Sequence, residues 1–299
     1  MNGFINFIKP PGMSSAQAVF FVKKLIGQKA GHAGTLDPEA AGILPIMVGR
    51  GTKLFDYITD DLKVYLAEIT FGASTDTQDA QGRILEKSAS IPTEEEIKAV
   101  LGHFEGDILQ VPPMYSALQQ DGKRLYALAR EGKTVEIAPR PVRVHSIAYI
   151  RQTQEDSHLL RIHCGKGTYI RTLCNDIGER LNSKAHMRFL LREQVGAFRM
   201  QEGVTMEELS RFVTTESPEK AWLQPPDKYL EHIPRIDVPS SIEKKLINGV
   251  SISREELPGN TQHPEGSFLR MYLQDEFICI SQVKNGMLAV STMYKTQCP

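Results

Sequence analysis

A proline-rich stretch between about Thr214 and Pro239 divides the chain into a long first part and a short second part. Prolines at positions 218, 225, 226, 234 and 239 fall in this stretch, and proline ends helices and removes a backbone donor from strands. With 299 residues the chain also exceeds the usual size of one domain. We therefore predict two domains, residues 1–230 and residues 231–299.

The first part alternates predicted strands and helices. Strands are expected at residues 3–8, 64–71, about 143–150 and 159–164. Helices are expected from a Ser14 or Ser15 cap to Gly27, from a Thr93 capping box to about residue 104, and from Ile170 onward. Residues 31–51 are rich in Gly and Pro, which predicts a long loop with at most one short helix.

The second part is predicted to be a small β-rich module. Short strands are expected at residues 268–273, 277–283 and 287–294, and the last two are joined by a hairpin at Lys284-Asn285-Gly286. Together with the first part, this pattern favours the α+β class.

Composition excludes several classes of protein. Hydrophobic residues make up 41% and charged residues 24% of the chain, which argues against a disordered or fibrous protein. Because no apolar run is long enough for a membrane span and no basic segment precedes the first apolar residues, we expect a cytoplasmic protein without a membrane anchor. The cysteines at 164, 174, 279 and 298 have neither zinc-site nor disulfide spacing, so we expect reduced thiols and no metal.

Two basic segments could hold a polyanion, although the formal net charge is only −1. Residues 123–151 and residues 161–192 each carry seven Lys or Arg against two acidic residues. Runs of charge are as often merely solvated faces, so this alternative stays open.

Asp37-Pro38 is the first candidate for chemistry. Proline restricts the backbone after the aspartate, and a loop can aim such a carboxylate into a cleft. Asp before Pro is also a common turn former, and the dipeptide alone favours that alternative.

The surrounding motifs decide between these readings. Residues 31–45, GHAGTLDPEAAGILP, resemble the catalytic motif of the TruB family of tRNA pseudouridine synthases. Four further segments resemble family motifs in the family's order: KPPGMSS at residues 9–15, KVY at 63–65 with TDTQD at 75–79, QVPPMYSA at 110–117, and GTYIRTL at 167–173. The resemblance covers roughly residues 1–200.

The resemblance implies three catalytic residues. Asp37 would act on the anomeric carbon of the target uridine, either as a nucleophile or by stabilising a cationic sugar, and the sequence leaves both roles open. Arg171 would pair with Asp37 and keep it ionised. Tyr65 would stack on the flipped base, with its hydroxyl helping to deprotonate C5.

It also implies four substrate-binding residues. His32 would fill the space that the flipped base leaves in the RNA, while Tyr169 and Leu190 would wall the uracil pocket. Lys9 would contact a phosphate or the pocket. Tyr169 and Leu190 would serve equally well as ordinary packing residues.

The family's fold has a central mixed or antiparallel sheet flanked by helices and loops, followed by a small RNA-binding β module, the PUA domain. By resemblance we expect a monomer that needs no cofactor and no protein partner, and that acts on position 55 in the T-arm stem-loop of tRNA. Gln119 and Leu191 depart from the family pattern at positions where phosphate contacts are usual, and Ala289-Val290 replaces a proline-containing PUA motif. The alternatives are a non-catalytic tRNA-binding protein or chaperone and a synthase acting on another RNA.

Overall fold

The structure, a computed structural model, describes residues 1–58, 62–116, 118–120, 123–125, 135–215, 222–257 and 263–295. The side chains of residues 119, 120, 123, 124 and 254 lie outside this description, as do Ala117, Cys298 and residues 216–221 of the proline-rich stretch. The other three cysteines are free and buried.

The described elements are given in chain order. The helices are α1 (Ser15–Ile26), α2 (Glu94–Leu101), α3 (Ile170–Arg180), α4 (Met206–Thr214) and α5 (Glu243–Ile247). The strands are β1 (Gly3–Lys9), β2 (Ala30–His32), β3 (Ala41–Val48), β4 (Lys63–Phe71), β5 (Ala73–Thr75), β6 (Ile84–Lys87), β7 (Gly106–Gln110), β8 (Gln119–Gln120), β9 (Lys123–Arg124), β10 (Arg140–Gln154), β11 (Ser157–Cys164), β12 (Ala185–Val195), β13 (Phe198–Arg199), β14 (Arg235–Asp237), β15 (Ile252–Ser253), β16 (Phe268–Leu273), β17 (Glu276–Lys284) and β18 (Met287–Met293).

A nine-stranded sheet forms the centre of the first part. Its order is β1-β3-β12-β4-β11-β10-β7, with β2 added to β3 and β13 added to β12. The β3–β12 pair is parallel and the other pairs are antiparallel, so the sheet is mixed. The predicted α+β class is confirmed.

The opening strand and helix form where the sequence predicts them. The Ser14 hydroxyl accepts from the Gln17 backbone, and the Gln17 side chain accepts from the Ser14 backbone, which completes a capping box. Gly27 ends the helix at φ 68°, a left-handed conformation that glycine adopts without steric cost.

The prediction of a long loop at residues 31–51 is wrong over its second half. Residues 41–48 form strand β3, which is almost wholly buried. Pro45 has no backbone N–H, yet the strand tolerates it. On the side of β3 away from β1, the paired strand β2 ends at His32, so no hydrogen bond from the Pro45 nitrogen is needed, and the Pro45 carbonyl accepts from the Ala33 backbone. Gly42, at φ 110°, allows the close approach of β12, since a Cβ there would lie 2.2 Å from the Arg192 carbonyl.

Strand β12 has no counterpart among the predicted elements, yet it lies at the centre of the sheet between β3 and β4. Its sequence AHMRFLLREQV mixes charged and apolar residues, because its two faces meet different surroundings. Leu190 and Arg192 point inward, and both are buried.

The second part contains a five-stranded sheet in the order β14-β16-β17-β18-β15. The three predicted strands are present, and Asn285 and Gly286 turn the hairpin with positive φ values of 51° and 74°. Residues of both parts share one apolar cluster, which includes Phe198 and Tyr229 of the first part and Tyr272 and Phe277 of the second. Among the described helices, none has the length and hydropathy to cross a membrane.

Candidate active site

Asp37 and Arg171 form an ion pair at the centre of the candidate site. The Nε of Arg171 lies 3.2 Å from Oδ2 of Asp37. The arginine side chain is 7% exposed, whereas the aspartate side chain is 45% exposed. The guanidinium is therefore fixed in the protein, and the carboxylate it holds remains open to a ligand.

Arg171 lies in the first turn of α3 and has a second carboxylate neighbour, Asp79. Its Nη1 lies 3.4 Å from Oδ2 of Asp79, and the same nitrogen donates to the Thr77 carbonyl. Its Nη2 donates to the carbonyl of Tyr115 at 3.0 Å. Asp79 is itself held, because its Oδ1 accepts from the Thr77 hydroxyl at 2.6 Å. These bonds orient the guanidinium that faces Asp37.

The backbone on either side of Asp37 is clamped by buried polar side chains. The Ser15 hydroxyl donates to the Leu36 carbonyl at 2.8 Å and accepts from the Leu36 backbone at 2.9 Å. The Nζ of Lys9 donates to the Pro38 carbonyl at 3.0 Å. Both neighbours of the catalytic candidate are thus fixed, which restricts where its carboxylate can point.

Lys9 holds the loop that carries Asp37. Its side chain is fully buried, and Nζ donates to the carbonyls of Pro10, Met13 and Pro38. An ammonium has three protons to donate, and each of these carbonyls takes one. Lys9 therefore clamps the loop in this structure, and its contact with a phosphate or the pocket stays a prediction.

Tyr65 lies on β4, whose register places it opposite Arg192 of β12. The side chain is 7% exposed. Burial raises the pKa of its hydroxyl, while the charge and the hydrogen bond of Arg192 act in the opposite direction. The charge of Asp37 also acts on the Tyr65 hydroxyl, so the structure brings Tyr65 close to the Asp37–Arg171 pair.

Arg192 holds the backbone of the glycine-rich segment around Asp37 through its guanidinium. Its Nε donates to the carbonyl of Ile43 at 2.8 Å, its Nη1 to that of Thr35 at 3.2 Å, and its Nη2 to that of Gly34 at 3.0 Å. The residue is 1% exposed. Its charge also lowers the pKa of Lys9, for which burial is the larger cause.

The remaining predicted residues lie around this centre. His32 is half-buried at the end of β2, and burial followed by the charge of Arg192 lowers its pKa. Leu190 is buried on the same face of the sheet as Tyr65, in the same apolar cluster. Tyr169 precedes α3, where the Gln110 side chain donates to its carbonyl and accepts from its backbone N–H. With Gln110 and Pro112, Tyr169 lines a cavity of about 110 Å³.

The second basic segment, residues 161–192, is not a bare basic face. Arg171 and Arg192 are buried, and three further members lie beside carboxylates. These pairs are Arg161 with Glu193, Lys184 with Glu179 and Glu86, and Arg188 with Glu68. In the first segment, residues 126–134 and the side chains of Lys123 and Arg124 lie outside the described residues, as does the side chain of Gln119.

Three residues of the site were not predicted from the sequence: Ser15, Asp79 and Arg192. Ser15 and Asp79 belong to motifs that the sequence displays, but their partners, the Leu36 backbone and Arg171, are distant in the chain. Arg192 carried a signal, since it follows Leu190 by two residues and therefore shares its inward face. A charged residue at such a position points to a buried partner.

Among the described residues, no group of three or more His, Cys, Asp or Glu side chains is arranged to hold a metal ion.

Comparison with known proteins supplies the family. The "TruB family pseudouridylate synthase (N terminal domain)" matches residues 23–170, and the "tRNA pseudouridylate synthase B C-terminal domain" matches residues 171–231. A tRNA pseudouridine synthase B of Caldanaerobacter subterraneus subsp. tengcongensis is 41% identical over 275 residues, 91% of each chain. Another, of Alkaliphilus oremlandii, is 41% identical over 286 residues, which are 95% of this chain and 94% of that one.

A solved structure shares the fold over nearly the whole chain. The crystal structure of a Cbf5-Nop10-Gar1 complex contains a chain that is 25% identical, with a TM-score of 0.74, and the match covers 98% of this chain and 85% of that one. The predicted pseudouridine synthase fold is therefore confirmed. From the family matches and the close relatives, we conclude that this chain belongs to the TruB family of pseudouridylate synthases.

Proposed function

We propose that this protein isomerises uridine to pseudouridine in tRNA, at position 55 of the T-arm stem-loop. The family and the relatives named tRNA pseudouridine synthase B support the reaction. The observation that carries the proposal is the Asp37–Arg171 pair, in which a buried guanidinium holds a carboxylate that is 45% exposed. A binding protein has no need of a carboxylate held in this way.

Asp37 acts on the ribose of the target uridine. Its carboxylate attacks C1′ or stabilises a cationic sugar while the bond from N1 to C1′ breaks, as carboxylates do in glycoside chemistry. The uracil then turns, C5 bonds to C1′, and C5 loses its proton. Arg171 keeps Asp37 ionised and oriented through this sequence.

Tyr65, Leu190 and Tyr169 form the surroundings of the base. The target nucleotide leaves its stack to reach Asp37, at a cost of a few kcal/mol that protein contacts offset. Tyr65 supplies an aromatic face and a hydroxyl beside C5, and Leu190 lies on the same face of the sheet. His32, half-buried at the rim of the Asp37 loop, fills the gap in the RNA.

The C-terminal β-rich part, residues 231–299, assists as a PUA-like RNA-binding domain, and residues 1–230 carry the chemistry. The five-stranded sheet that begins at Arg235 supports this division. The two parts are joined by a shared apolar cluster, so a truncation near Pro234 would expose core side chains. A tRNA-binding test therefore requires substitutions on the surface of the module in the full chain.

The reaction is tested with an unmodified tRNA transcript as substrate. We expect pseudouridine at position 55 after incubation with the protein alone, in the absence of cofactor or added protein. Tight binding without conversion would favour a non-catalytic tRNA-binding protein. Conversion of a different RNA, with none at position 55, would favour a synthase with another substrate. A mass measurement in solution tests the expected monomer, and fractionation of cells tests the expected cytoplasmic location.

A further inference from the structure

Arg192 is the largest side chain that the described fold buries completely. A buried guanidinium is costly unless its donors are satisfied and its charge is balanced. Within the described part of the chain, its acceptors are three backbone carbonyls and the Tyr65 hydroxyl rather than a carboxylate. Such a charge is retained at a cost in free energy, so a functional reason is expected.

The contacts of Arg192 converge on the two reacting side chains. Two of its carbonyl acceptors, on Gly34 and Thr35, precede Asp37 in the loop, and the third, on Ile43, follows it in β3. Tyr65 is its cross-strand partner on the other side. One guanidinium therefore joins the backbone that carries Asp37 to the side chain that faces the base.

We propose that Arg192 is a positioning residue of this reaction, which fixes the Asp37 loop at both ends and stabilises the negative charge on the Tyr65 oxygen when that oxygen acts as a base. The inference rests on the proposed function and deepens it, because it identifies what makes a buried tyrosine able to accept a proton. The catalytic groups remain Asp37 and Tyr65.

The proton transfer balances without any added reagent. After C5 has bonded to C1′, the ionised Tyr65 oxygen takes the C5 proton, and the electrons of that C–H bond restore the double bond of the ring. N1, which received the electrons of the broken bond to C1′, takes one proton from water. Tyr65 then returns its proton to water, so one proton leaves C5 and one reaches N1.

Charged and titratable groups face the Tyr65 hydroxyl from three directions. Burial, Cys164 at the end of β11 and Asp37 in the loop all raise the pKa of Tyr65. Arg192 from β12 is the group that lowers it, through its charge and its hydrogen bond. Removing Arg192 should therefore make ionisation of Tyr65 still harder.

The test compares Arg192→Met and Arg192→Lys with Arg161→Met. Arg161 lies on the adjacent strand β11, pairs with Leu66 rather than with Tyr65, and so has its side chain on the opposite face of the sheet. For each variant, thermal unfolding and tRNA affinity are measured first. The rate of tritium release from uracil C5 is then measured in single turnovers, from neutral to strongly alkaline pH.

For the unsubstituted protein, we expect the rate of tritium release to rise with pH. This alkaline limb of the pH–rate profile should be absent in Tyr65→Phe. In Arg192→Met this limb should shift to higher pH by about one pH unit or more, so the rate at neutral pH should be about tenfold lower. Arg192→Lys keeps the charge but not the fork of donors, so its limb should move less while its rate falls at every pH. Arg161→Met should keep the original pH dependence.

Two results would overturn the proposal. One is a folded Arg192→Met protein with the original pH dependence. The other, which needs no Arg192 variant, is a limb that persists in Tyr65→Phe.

A direct measurement separates this inference from the proposed function. Fluorotyrosine can be incorporated throughout, and the Tyr65 resonance assigned by its loss in Tyr65→Phe. Its titration should move to higher pH in Arg192→Met even if no RNA is converted, and an unmoved titration contradicts the link between these residues. Absence of turnover in the unsubstituted protein would instead contradict the proposed function alone.

Discussion

Two clusters of the molecule, one at the junction of its two parts and one at the candidate active site, each combine arginine, tyrosine and aspartate, with opposite results. At the junction, the hydroxyl of Tyr272 from the second part donates to Oδ2 of Asp227 from the first part at 2.8 Å, and Arg270 donates to the same hydroxyl at 3.2 Å. Hydrogen bonds through the Tyr272 hydroxyl join Asp227, Tyr272 and Arg270, which we call the closed set. In the candidate active site, Asp37 is paired with Arg171, and Tyr65 is paired with a different arginine, Arg192.

The difference shows what leaves such residues open to a ligand. In the closed set, the hydroxyl of Tyr272 serves Asp227, and burial together with that carboxylate raises the pKa of the hydroxyl. In the candidate active site, two arginines hold the carboxylate and the hydroxyl separately, and Asp37 remains 45% exposed. The carboxylate of Asp37 can therefore receive a ligand, whereas the carboxylate of Asp227 is already bonded to the Tyr272 hydroxyl.

The largest expected contrast is between Tyr65→Phe and Tyr272→Phe. Tyr65→Phe keeps the aromatic face and should bind tRNA normally, but loss of the proton acceptor should lower turnover by about 10²- to 10⁴-fold. Tyr272→Phe should leave turnover unchanged and lower the free energy of unfolding by about 1–3 kcal/mol, since Asp227 loses its donor. Tritium release and denaturant unfolding measure the two effects, and normal turnover in Tyr65→Phe would remove its hydroxyl from the mechanism.

Asp79→Asn should have the next largest effect. It removes one of the two carboxylates beside Arg171 while leaving Asp37 in place. A small reorientation of the guanidinium should lower single-turnover rates by about 10- to 100-fold with unchanged tRNA affinity. Asp227→Asn is the matched control, and an equal loss of rate in the two variants would contradict the distinction between the two regions.

Lys9→Met should affect stability more than chemistry. The carbonyls of Pro10, Met13 and Pro38 lose their donor, which should lower the free energy of unfolding by about 1–3 kcal/mol. Lys23→Met, on the exposed side of α1, is the control and should have little effect. If Lys9→Met instead weakened tRNA binding without a loss of stability, Lys9 would be an RNA contact after all.

The same lysine makes stability depend on pH. Burial lowers the pKa of Lys9 from 10.5 to about 8. Between these two pH values the unfolded chain binds more protons than the folded one, so stability from this group rises with pH there. The difference in free energy of unfolding between the original protein and Lys9→Met should therefore grow from pH 8 to 10.5.

Local signals in the sequence predicted the elements whose boundaries depend on local chemistry. The cap of the first helix, predicted at Ser14 or Ser15, lies at Ser14, and the capping box at Thr93 and the turn at Asn285-Gly286 lie where the sequence places them. Strands β3 and β12 were missed because each depends on its partner strands. Gly42 and Pro45 of β3 favour a loop in isolation, and this segment becomes a strand only by pairing with β1 and β12.

The site divides in the same way. Asp37, Tyr65 and Arg171 were predicted because each belongs to a sequence motif, and the structure brings them together. Their roles in catalysis remain predictions. The functions of Ser15, Lys9 and Arg192 in holding the loop depend on backbone atoms far away in the chain, which no sequence pattern specifies.

The most direct test of the central claim is conversion of unmodified tRNA by the original protein, by Asp37→Asn and by Glu39→Gln, which alters an exposed carboxylate two residues away. The original protein and Glu39→Gln should place pseudouridine at position 55. Asp37→Asn should still bind tRNA but convert it on the order of 10⁴-fold more slowly or not at all. Tritium release from uracil C5 by Asp37→Asn at the original rate would contradict the assignment of Asp37 to the reaction.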